Sequence, residues 1–406
     1  MRSPFRGFLS LVSSVSVLLL PGMLAAQSLR VACYNVENLF DNHDDPYRPD
    51  EETSPKSLAE RRVLAKTIDS IDADVLALCE VENREVVEAL NRLLAKPYAI
   101  VEVLSSNDMR GIDCALLSRV PLRRSTSHRH RVLEGGRRFA RDLVVHELEP
   151  SPGKRLLVAP MHLKSKRTFG DDVQGVGWRS AEARGIVDVL DELRAGGQTS
   201  PFVLLGDLND TVDSASLAPL FARFKNATEK VPAEEAWSFE YAGQKQQIDY
   251  VLFEGALDVA QARFARDEND ASDHAAVVVD FAWEGEPTRL PAAPSPQVLA
   301  TEGAKPSLPR IQADDGAALA RHLLQEVEVS GTVRRVEATR SGGHFNLELG
   351  DKPRSSLTLF VPRHAVARFG DLLTWKGKKL VVTGPIFRYR GRPELQLTRK
   401  EQVRFD

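Results

Sequence analysis

Hydrophobic and polar positions along the chain follow two periods. Short, continuous apolar runs bounded by polar residues or glycine are typical of buried β-strands. Apolar residues that recur three and four positions apart predict amphipathic helices over 58–71, 86–94 and 181–193. The runs predicted as strands are 29–34, 74–79, 100–104, 112–117, 143–148, 156–163, 201–206, 248–253 and 275–281.

The predicted strands outnumber the helices, and several strands follow one another with no helix between them. A doubly wound parallel sheet needs a helix between most successive strands, so this order predicts mixed or antiparallel sheets. We therefore predict an α+β domain over residues 29–283.

Carboxylate, amide, histidine and lysine side chains lie at or beside the ends of these strands. The central example is Gly206-Asp207-Leu208-Asn209, which follows an apolar run. Polar groups at the mouth of a buried strand are costly unless they bind something, and a hard cation with an anionic substrate is a common occupant. For this stretch alone, an Asx turn that ends the strand is the alternative. Six separated segments carry such residues: Asn35, Glu80, His162 with Lys164, Asp207 with Asn209, Asp249, and Asp273 with His274.

The first 28 residues have a different composition. Arg2 and Arg6 precede a short apolar stretch, and small residues follow up to Ala26. This order is typical of a secretory signal peptide, with cleavage after Ala25 or Ala26. The apolar part is too short and too serine-rich for a good membrane span. We therefore predict a signal peptide over 1–28 and a secreted or periplasmic protein without stable membrane insertion after cleavage.

The composition changes again near residue 284. Six prolines between 285 and 309, without a helical or strand period, predict a Pro-rich linker over 284–310. Residues 311–406 then show a short helix (317–324) and five short strands, with a second helix (365–369) between the third and fourth strands. This is the order of an OB-fold-like, all-β barrel. The strands are 327–333, 345–349, 357–361, 380–383 and 394–398.

Charge divides along the same boundary. Residues 311–406 hold 17 Lys and Arg against 11 Asp and Glu, a net charge of +6, and since the whole chain carries −3, residues 1–310 carry −9. A basic small domain beside an acidic one indicates that the small domain binds a polyanion such as nucleic acid. The run 387–392 interleaves rings with arginines, as stacking and phosphate contact require. A solvated module that binds proteins is the alternative.

Three cysteines, Cys33, Cys79 and Cys114, each lie inside an apolar run. Their number and spacing are typical of neither a disulfide framework nor a zinc site. Buried free thiols are therefore predicted.

Seven motifs of the first domain form an ordered set. They are Cys33-Tyr34-Asn35-Val36-Glu37, Leu78-Cys79-Glu80-Val81-Glu82, Arg110-Gly111-Ile112-Asp113, His162-Leu163-Lys164-Ser165, Gly206-Asp207-Leu208-Asn209, Gln247-Ile248-Asp249-Tyr250 and Ser272-Asp273-His274. This order resembles the endonuclease/exonuclease/phosphatase superfamily over about 29–281, including pancreatic deoxyribonuclease, the abasic-site endonucleases and bacterial extracellular nucleases. The resemblance implies a four-layer αββα sandwich of two packed mixed sheets and a metal-dependent phosphodiester hydrolase.

The residue types suit that chemistry. Glu80 and Asp273 are hard oxygen ligands for Mg²⁺, Mn²⁺ or Ca²⁺, and the resemblance adds Glu37 as a third carboxylate. Asn35 and Asn209 can donate hydrogen bonds to a phosphate without adding negative charge. Asp207 is close enough in sequence to Asn209 to orient the attacking water.

The resemblance also implies two active-site histidines. His274 is predicted as a general base or a phosphate contact, paired with Asp249, which would hold one imidazole tautomer and raise its proton affinity. His162 matches the second histidine of the deoxyribonuclease branch, and Asp113 is its predicted partner. A hydrogen-bonded structural histidine is the alternative for each.

Basic residues complete the predicted site. Arg141 resembles a phosphate-contacting arginine of the deoxyribonuclease branch, although an exposed salt bridge is the alternative. Lys164 and Arg110 are further substrate-binding candidates in basic loops that suit a nucleic-acid backbone.

Three functions compete at this point. The first is an exported, metal-dependent nuclease that acts on DNA or RNA. The second is a phosphoesterase of the same mechanism that acts on a lipid headgroup, an inositol phosphate or a small ester. The third is a catalytically silent binding scaffold, against which the complete set of active-site residue types argues.

Overall fold

A computed structural model describes residues 27–43, 48, 53–241, 243–266, 271–293, 308–339, 343–352 and 355–406. The predicted signal peptide lies outside the described residues except for residues 27 and 28, which begin the first strand. The middle of the predicted linker, 294–307, also lies outside them.

The first of two large sheets, sheet I, has six strands within the described residues, in the order β13-β14-β1-β2-β4-β3. Strands β1 and β2 are parallel, and their neighbours pair antiparallel. The strands are β1 (Gln27–Leu39), β2 (Val75–Val81), β3 (Ile100–Val103), β4 (Asp113–Ser118), β13 (Asp258–Ala265) and β14 (Ala276–Trp283).

Sheet II also has six described strands, in the order β5-β6-β7-β8-β12-β9, with β7 and β8 parallel. The strands are β5 (Leu122–Ser127), β6 (Val144–Ser151), β7 (Lys154–His162), β8 (Phe202–Asp207), β9 (Lys225–Asn226) and β12 (Asp249–Glu254). A separate small hairpin consists of β10 (Phe239–Tyr241) and β11 (Gln244–Gln246). The predicted α+β class with mixed sheets is therefore confirmed.

Four helices cover the outer faces: α1 (Leu58–Ile71), α2 (Arg84–Asn91), α3 (Val176–Ala195) and α4 (Ala218–Arg223). Helix α1 begins at a capping box, in which Ser57 accepts from the Glu60 amide and Glu60 accepts from the Ser57 amide. Short 3₁₀ turns span Glu134–Gly136, Val173–Gly175, Leu372–Trp375 and Lys400–Gln402.

Three apolar clusters separate these layers. Ile68 and Leu76 belong to a cluster between α1, α2 and sheet I. Val31 and Val203 belong to a cluster between the two sheets. Ile186 lies in a third cluster between sheet II and α3. Both sheets are thus buried on two faces, which explains their continuous apolar runs and is consistent with the predicted αββα sandwich.

Residues 310–406 form a third sheet, the C-terminal sheet, with described strands in the order β20-β21-β18-β17-β16-β19-β22, and β15 pairs with β16. Helices α5 (Gly316–Arg321) and α6 (Arg363–Phe369) accompany it. Its strands are β15 (Arg310–Gln312), β16 (Glu326–Ala338), β17 (Phe345–Leu349), β18 (Leu357–Val361), β19 (Lys379–Pro385), β20 (Phe387–Tyr389), β21 (Arg392–Gln396) and β22 (Val403–Phe405).

The five predicted strands and the helix between the third and fourth are present in this sheet. Strand β18 pairs with β21 in parallel, and the other neighbours on the path pair antiparallel. No hydrogen-bonded ladder among the described residues joins β21 to β19, so the sheet is open along this path. The predicted OB-like closed barrel is therefore not confirmed.

The C-terminal sheet contacts the first domain directly. The Thr398 hydroxyl donates to Glu60 at 2.8 Å, and the Arg399 guanidinium donates to the Ser57 hydroxyl at 2.8 Å. The start of the predicted linker is also attached, because Arg289 pairs with Asp74 at 2.6 Å.

No helix among the described residues is long and apolar enough to cross a membrane. Cys33, Cys79 and Cys114 are all free thiols, of which Cys33 and Cys79 are buried, as predicted, while Cys114 is partly exposed.

Candidate active site

The ends of strands from both sheets meet at one edge of the sandwich. Asn35 and Glu80 lie near the ends of β1 and β2 in sheet I. His162 and Asp207 end β7 and β8 in sheet II and are register partners, and Asp249, which begins β12, lies opposite Asp207. Antiparallel pairing of β8 with β12 therefore brings the last residue of one strand beside the first residue of the next.

The backbone at this edge is held in unusual conformations. Gly206 has φ +137°, and a Cβ atom there would lie 2.0 Å from the Met161 carbonyl oxygen, so β7 and β8 can approach only at a glycine. Glu80 and Asn209 have φ of 64° and 56°, in the left-handed region. Such conformations in non-glycine residues cluster at functional sites.

Asp207 is the centre of the cluster. Its Oδ2 atom accepts from Asn35 Nδ2 at 3.0 Å and lies 3.4 Å from His162 Nε2, and its Oδ1 atom accepts from the Asn209 amide at 2.8 Å. Asn209 Nδ2 also donates to the Leu163 carbonyl at 3.0 Å. Burial, with the nearby Asp249 carboxylate, raises the pKa of Asp207 to about 7.

His274 and Asp249 form the predicted pair. His274 Nδ1 lies 2.7 Å from Asp249 Oδ2, and Asp249 is fully buried. Burial alone would lower the pKa of His274, but the carboxylates of Asp249, Asp273 and Asp207 outweigh it and raise the pKa well above its ordinary value. His274 is therefore an imidazolium at neutral pH.

His162 has the opposite environment. It is 1% exposed, and burial together with the Arg141 guanidinium lowers its pKa well below the ordinary value. Its Nδ1 atom has no hydrogen-bond partner among the described residues. His162 is therefore neutral at neutral pH.

The predicted pairing of His162 with Asp113 is wrong. Asp113 begins β4, and its carboxylate accepts from the Ser106 amide at 2.7 Å. His162 Nε2 instead faces Asp207, and Glu80 Oε1 at 3.9 Å. Asp113 instead lies at the start of β4, where its carboxylate closes a local turn with the Ser106 amide.

Two overlapping groups of side chains could hold a metal ion. Ligand atoms of Glu80, His162 and Asp207 lie within 4.8 Å of one another, as do those of Asp207, Asp249 and His274. Burial raises the pKa of Asp207 and of Asp273, so a neighbouring cation would stabilise the ionised form of both carboxyl groups. Carboxylate oxygens at this density fit a hard divalent cation.

The three predicted metal carboxylates occupy different parts of this region. Glu80 Oε1 lies 3.3 Å from Asn35 Nδ2, while its Oε2 accepts from the Asn38 amide at 3.0 Å. Asp273 Oδ1 lies 3.8 Å from His274 Nε2, and the Asp273 side chain is 33% exposed. Glu37 and Asp273 both line the adjacent cleft, and neither is a member of either cluster of potential ligand atoms.

The predicted basic residues lie beside the carboxylates. Arg141 is buried, with Nε 3.2 Å from Asp108 Oδ2, so the alternative of an exposed salt bridge does not apply. Arg110 lines the cleft, and Lys164 lies 5.2 Å from the centre of the Trp178 ring. Burial lowers the pKa of both Arg110 and Lys164.

Asp210, which follows Asn209, is a structural residue of this loop. Its carboxylate accepts from Arg179 at 2.9 Å, from Ser214 at 2.7 Å and from Ser216 at 2.9 Å, and pairs with Lys166 at 2.9 Å. These hydrogen bonds outweigh its burial and lower its pKa.

Sequence reasoning missed the residues that support the site. The Ser238 hydroxyl accepts from the Asp249 amide at 3.0 Å, and the Ser272 hydroxyl donates to the Asn35 carbonyl at 2.6 Å. Glu182 in α3 is fully buried and accepts from the Lys164 amide at 2.8 Å, and burial raises its pKa to about 7. For Glu182, a charged residue on the apolar face of a predicted helix was an available signal.

A cleft of about 1030 Å³ opens in front of this cluster. Asp273, His274 and Arg110 line one side, and residues of the C-terminal sheet line the other. The site is therefore accessible from a space that two parts of the chain enclose.

Residues 30–254 match a sequence model described as "Endonuclease/Exonuclease/phosphatase family". No curated protein matches the chain. Solved structures with a similar fold include truncated Caenorhabditis elegans TDP2, at 17% identity and TM-score 0.47, covering 63% of this chain and 98% of that chain. The human Nocturnin catalytic domain with bound sulfate anion has 18% identity and TM-score 0.46, covering 63% and 95%. An endonuclease/exonuclease/phosphatase from Beutenbergia cavernae has 20% identity and TM-score 0.44, covering 79% and 81%.

Proposed function

The chain belongs to the endonuclease/exonuclease/phosphatase family, and on this premise we propose that it is a divalent-metal-dependent phosphodiesterase whose substrate is nucleic acid. Members of the family are metal-dependent hydrolases. The observation that carries the proposal is the convergence on Asp207 of an amide, Asn35, and a neutral imidazole, His162, next to the His274–Asp249 pair.

Each group has a defined task in this proposal. Hydrolysis of a phosphodiester needs an oriented water, neutralised phosphate oxygens and a proton for the leaving oxygen. Asp207 orients the water, since its carboxylate faces the centre of the cluster. Asn35 and Asn209 donate to the phosphate, and so does the neutral His162. His274, held as an imidazolium by Asp249, stabilises the negative charge that develops on the phosphate oxygens and donates the proton that the leaving oxygen takes up, while Asp207 accepts the proton of the attacking water.

Glu80 and Asp273 would hold the metal ion, and Mg²⁺, Mn²⁺ and Ca²⁺ are all compatible with these ligands. When bound, the ion supplies Lewis-acid stabilisation of the phosphate. Glu37, at the edge of the cleft, is proposed as an outer carboxylate that reaches the ion through water. Arg141, Arg110 and Lys164 add positive charge where the substrate backbone enters.

We further propose that the protein is exported, on the pattern of its first 28 residues, and that residues 311–406 act as an OB-like substrate-binding unit. The net charge of +6 over these residues supports a polyanionic substrate.

Nicking of supercoiled plasmid DNA tests the proposal, with a parallel assay on single-stranded DNA and RNA oligonucleotides. We expect cleavage with Mg²⁺ that stops on addition of EDTA and returns with excess Mg²⁺. Absence of metal-dependent cleavage of every nucleic acid, together with turnover of an inositol phosphate or a lipid headgroup ester, would replace the nuclease proposal with the phosphoesterase alternative.

A further inference from the structure

The wall of the cleft opposite the catalytic cluster is one face of the C-terminal sheet. Leu359 of β18 and Leu395 of β21 point into the core of that sheet. Their neighbours along the strands point the other way, and Phe360 and Glu394 line the cleft. Tyr389 of β20 lines it as well and is 44% exposed. Aromatic and acidic side chains therefore face the catalytic site across the space where a substrate enters.

Glu394 is the unusual member of this wall. It lies in β21 with only 7% of its surface exposed, and no side-chain hydrogen bond or ion pair joins it to a residue that the structure describes. Burial raises its pKa to about 7. A buried carboxyl group without a partner is costly, and a ligand that offers N–H donors would satisfy it.

Aromatic rings connect this wall with the reaction centre. The Phe239 ring centre lies 4.9 Å from that of His274, and the Tyr241 ring is stacked at 6.4 Å from Phe239 with 9° between the planes. The Arg363 guanidinium, which belongs to the C-terminal region, lies over the Tyr241 ring at 5.8 Å. The rings of Phe239 and Tyr241 and the guanidinium of Arg363 thus form a continuous row of contacts between His274 and the C-terminal region.

We propose that this wall is a nucleotide subsite for an unpaired base of the substrate, in which the Tyr389 ring stacks on the base and Glu394, two residues further along the neighbouring strand from the pairing partner of Tyr389, accepts from its N–H groups. The proposal rests on the proposed nuclease function and deepens it, because it names single-stranded nucleic acid as the substrate class. Bases in a duplex hide both faces against their neighbours, so only an unpaired base can stack on protein rings. Guanine and cytosine each carry an amino group that can donate to the Glu394 carboxylate, whereas thymine carries none.

Steady-state kinetics of the full-length chain with Mg²⁺ test the subsite. The substrates are a mixed-sequence single-stranded DNA oligonucleotide, its duplex with the complementary strand, and bis(p-nitrophenyl) phosphate as a small diester. Tyr389→Ala should raise KM for the single strand by roughly 5- to 30-fold, as expected for loss of base stacking. Turnover of the small diester should stay unchanged, because that substrate reaches only the catalytic cluster.

Phe405→Ala is the matched aromatic control. Phe405 is 47% exposed, close to the exposure of Tyr389, but it packs on Trp375 at 5.0 Å and does not line the cleft. This variant should leave all three substrates unaffected.

Glu394→Gln tests the base contact, and Glu348→Gln on the same sheet is its control. Glu348 lines a different depression beside Arg334. Glu394→Gln should raise KM for an oligo-dC strand more than for an oligo-dT strand, whereas Glu348→Gln should change neither.

Two results would overturn the subsite while the nuclease proposal stands. One is wild-type cleavage of the single strand with KM unchanged in both Tyr389→Ala and Glu394→Gln. The other is an equal rise in KM for single strand and duplex. If the wild type turns over the small diester but cleaves no nucleic acid, both proposals fail, and this outcome is distinct from the first two.

Discussion

The candidate site contains two histidines, one at each sheet, whose surroundings shift the imidazole pKa in opposite directions. His274 precedes β14 of sheet I and touches the buried Asp249 carboxylate, so its pKa lies well above the ordinary value. His162 ends β7 of sheet II and is 1% exposed, and burial together with the Arg141 guanidinium holds its pKa well below the ordinary value. Burial lowers the pKa of both rings; at His274 the neighbouring carboxylates outweigh burial, whereas at His162 the Arg141 guanidinium adds to it. One site can therefore hold a charged and a neutral imidazole at one pH.

The largest effect is expected from removal of the charged imidazole, that of His274. His274→Ala should reduce kcat by roughly 10²- to 10⁴-fold, because the reaction loses the group that carries its proton and its positive charge. The measurement is steady-state turnover of a nucleic-acid substrate with saturating Mg²⁺.

His146→Ala is the matched control for this variant. His146 is also buried, in β6, where burial lowers its pKa to about 4 and its ring contacts the Ser125 hydroxyl at 2.9 Å. It lies outside the site, so its loss should affect stability and leave kcat near normal. Near-normal kcat in His274→Ala would remove His274 from the mechanism.

Asp249→Asn should make the electrostatic environment of His274 more like that of His162. Without the carboxylate, burial dominates and the pKa of His274 should fall below about 6.5. We expect a loss of about 10²-fold in kcat at neutral pH. An NMR titration of the His274 ring in the wild type and the variant checks the shift. An unchanged His274 pKa would show that Asp249 does not set its charge.

His162→Asn should have a smaller effect, about 10- to 30-fold in kcat, since a neutral ring contributes a hydrogen bond and no charge. The wild-type pH–rate profile should show no ionisation of His162 between about pH 6 and pH 8, because its pKa is lowered. A profile in this range that loses a limb in His162→Asn would contradict a neutral His162.

Asp113→Asn should have the smallest effect on kcat, and it tests whether Asp113 pairs with Ser106 or with His162. The Asp113 carboxylate holds the Ser106 amide and not His162, so kcat should stay within about twofold. Stability should fall by about 1 kcal/mol, because an amide is a weaker acceptor than a carboxylate. Denaturant unfolding and turnover are measured on the same preparation, and a 10-fold loss of kcat would restore Asp113 to the site.

Much of the fold was predictable because it depends on local patterns. Both sheets of the sandwich are buried on two faces, so β2, β7 and β8 show as continuous apolar runs. The strands that were missed, β5 and β13, are exposed on one face and carry arginine, serine or glutamine, which hides their apolar period. The β10–β11 hairpin was also missed, because three-residue strands have no measurable period.

The C-terminal region shows the limit of that reasoning more clearly. Five of its eight described strands were predicted, in the correct order, while β15, β20 and β22 were missed. Strand order along the chain does not specify whether the last pairing closes a barrel. The position of this sheet against the cleft had no signal in the sequence, since contacts such as Thr398 with Glu60 join residues 338 positions apart.

By itself, the sequence determined the family, the α+β class and the residue types at the strand ends, because apolar periodicity and short motifs are local properties of the chain. Only the tertiary structure decided that Asp207 lies at the centre of the site, that His162 and His274 have pKa values shifted in opposite directions, and that Glu394 faces the cleft with no partner among the described residues. These outcomes depend on burial and on charges supplied by distant segments. The Coulomb term between two side chains depends on their separation in space, which no local pattern of residues encodes.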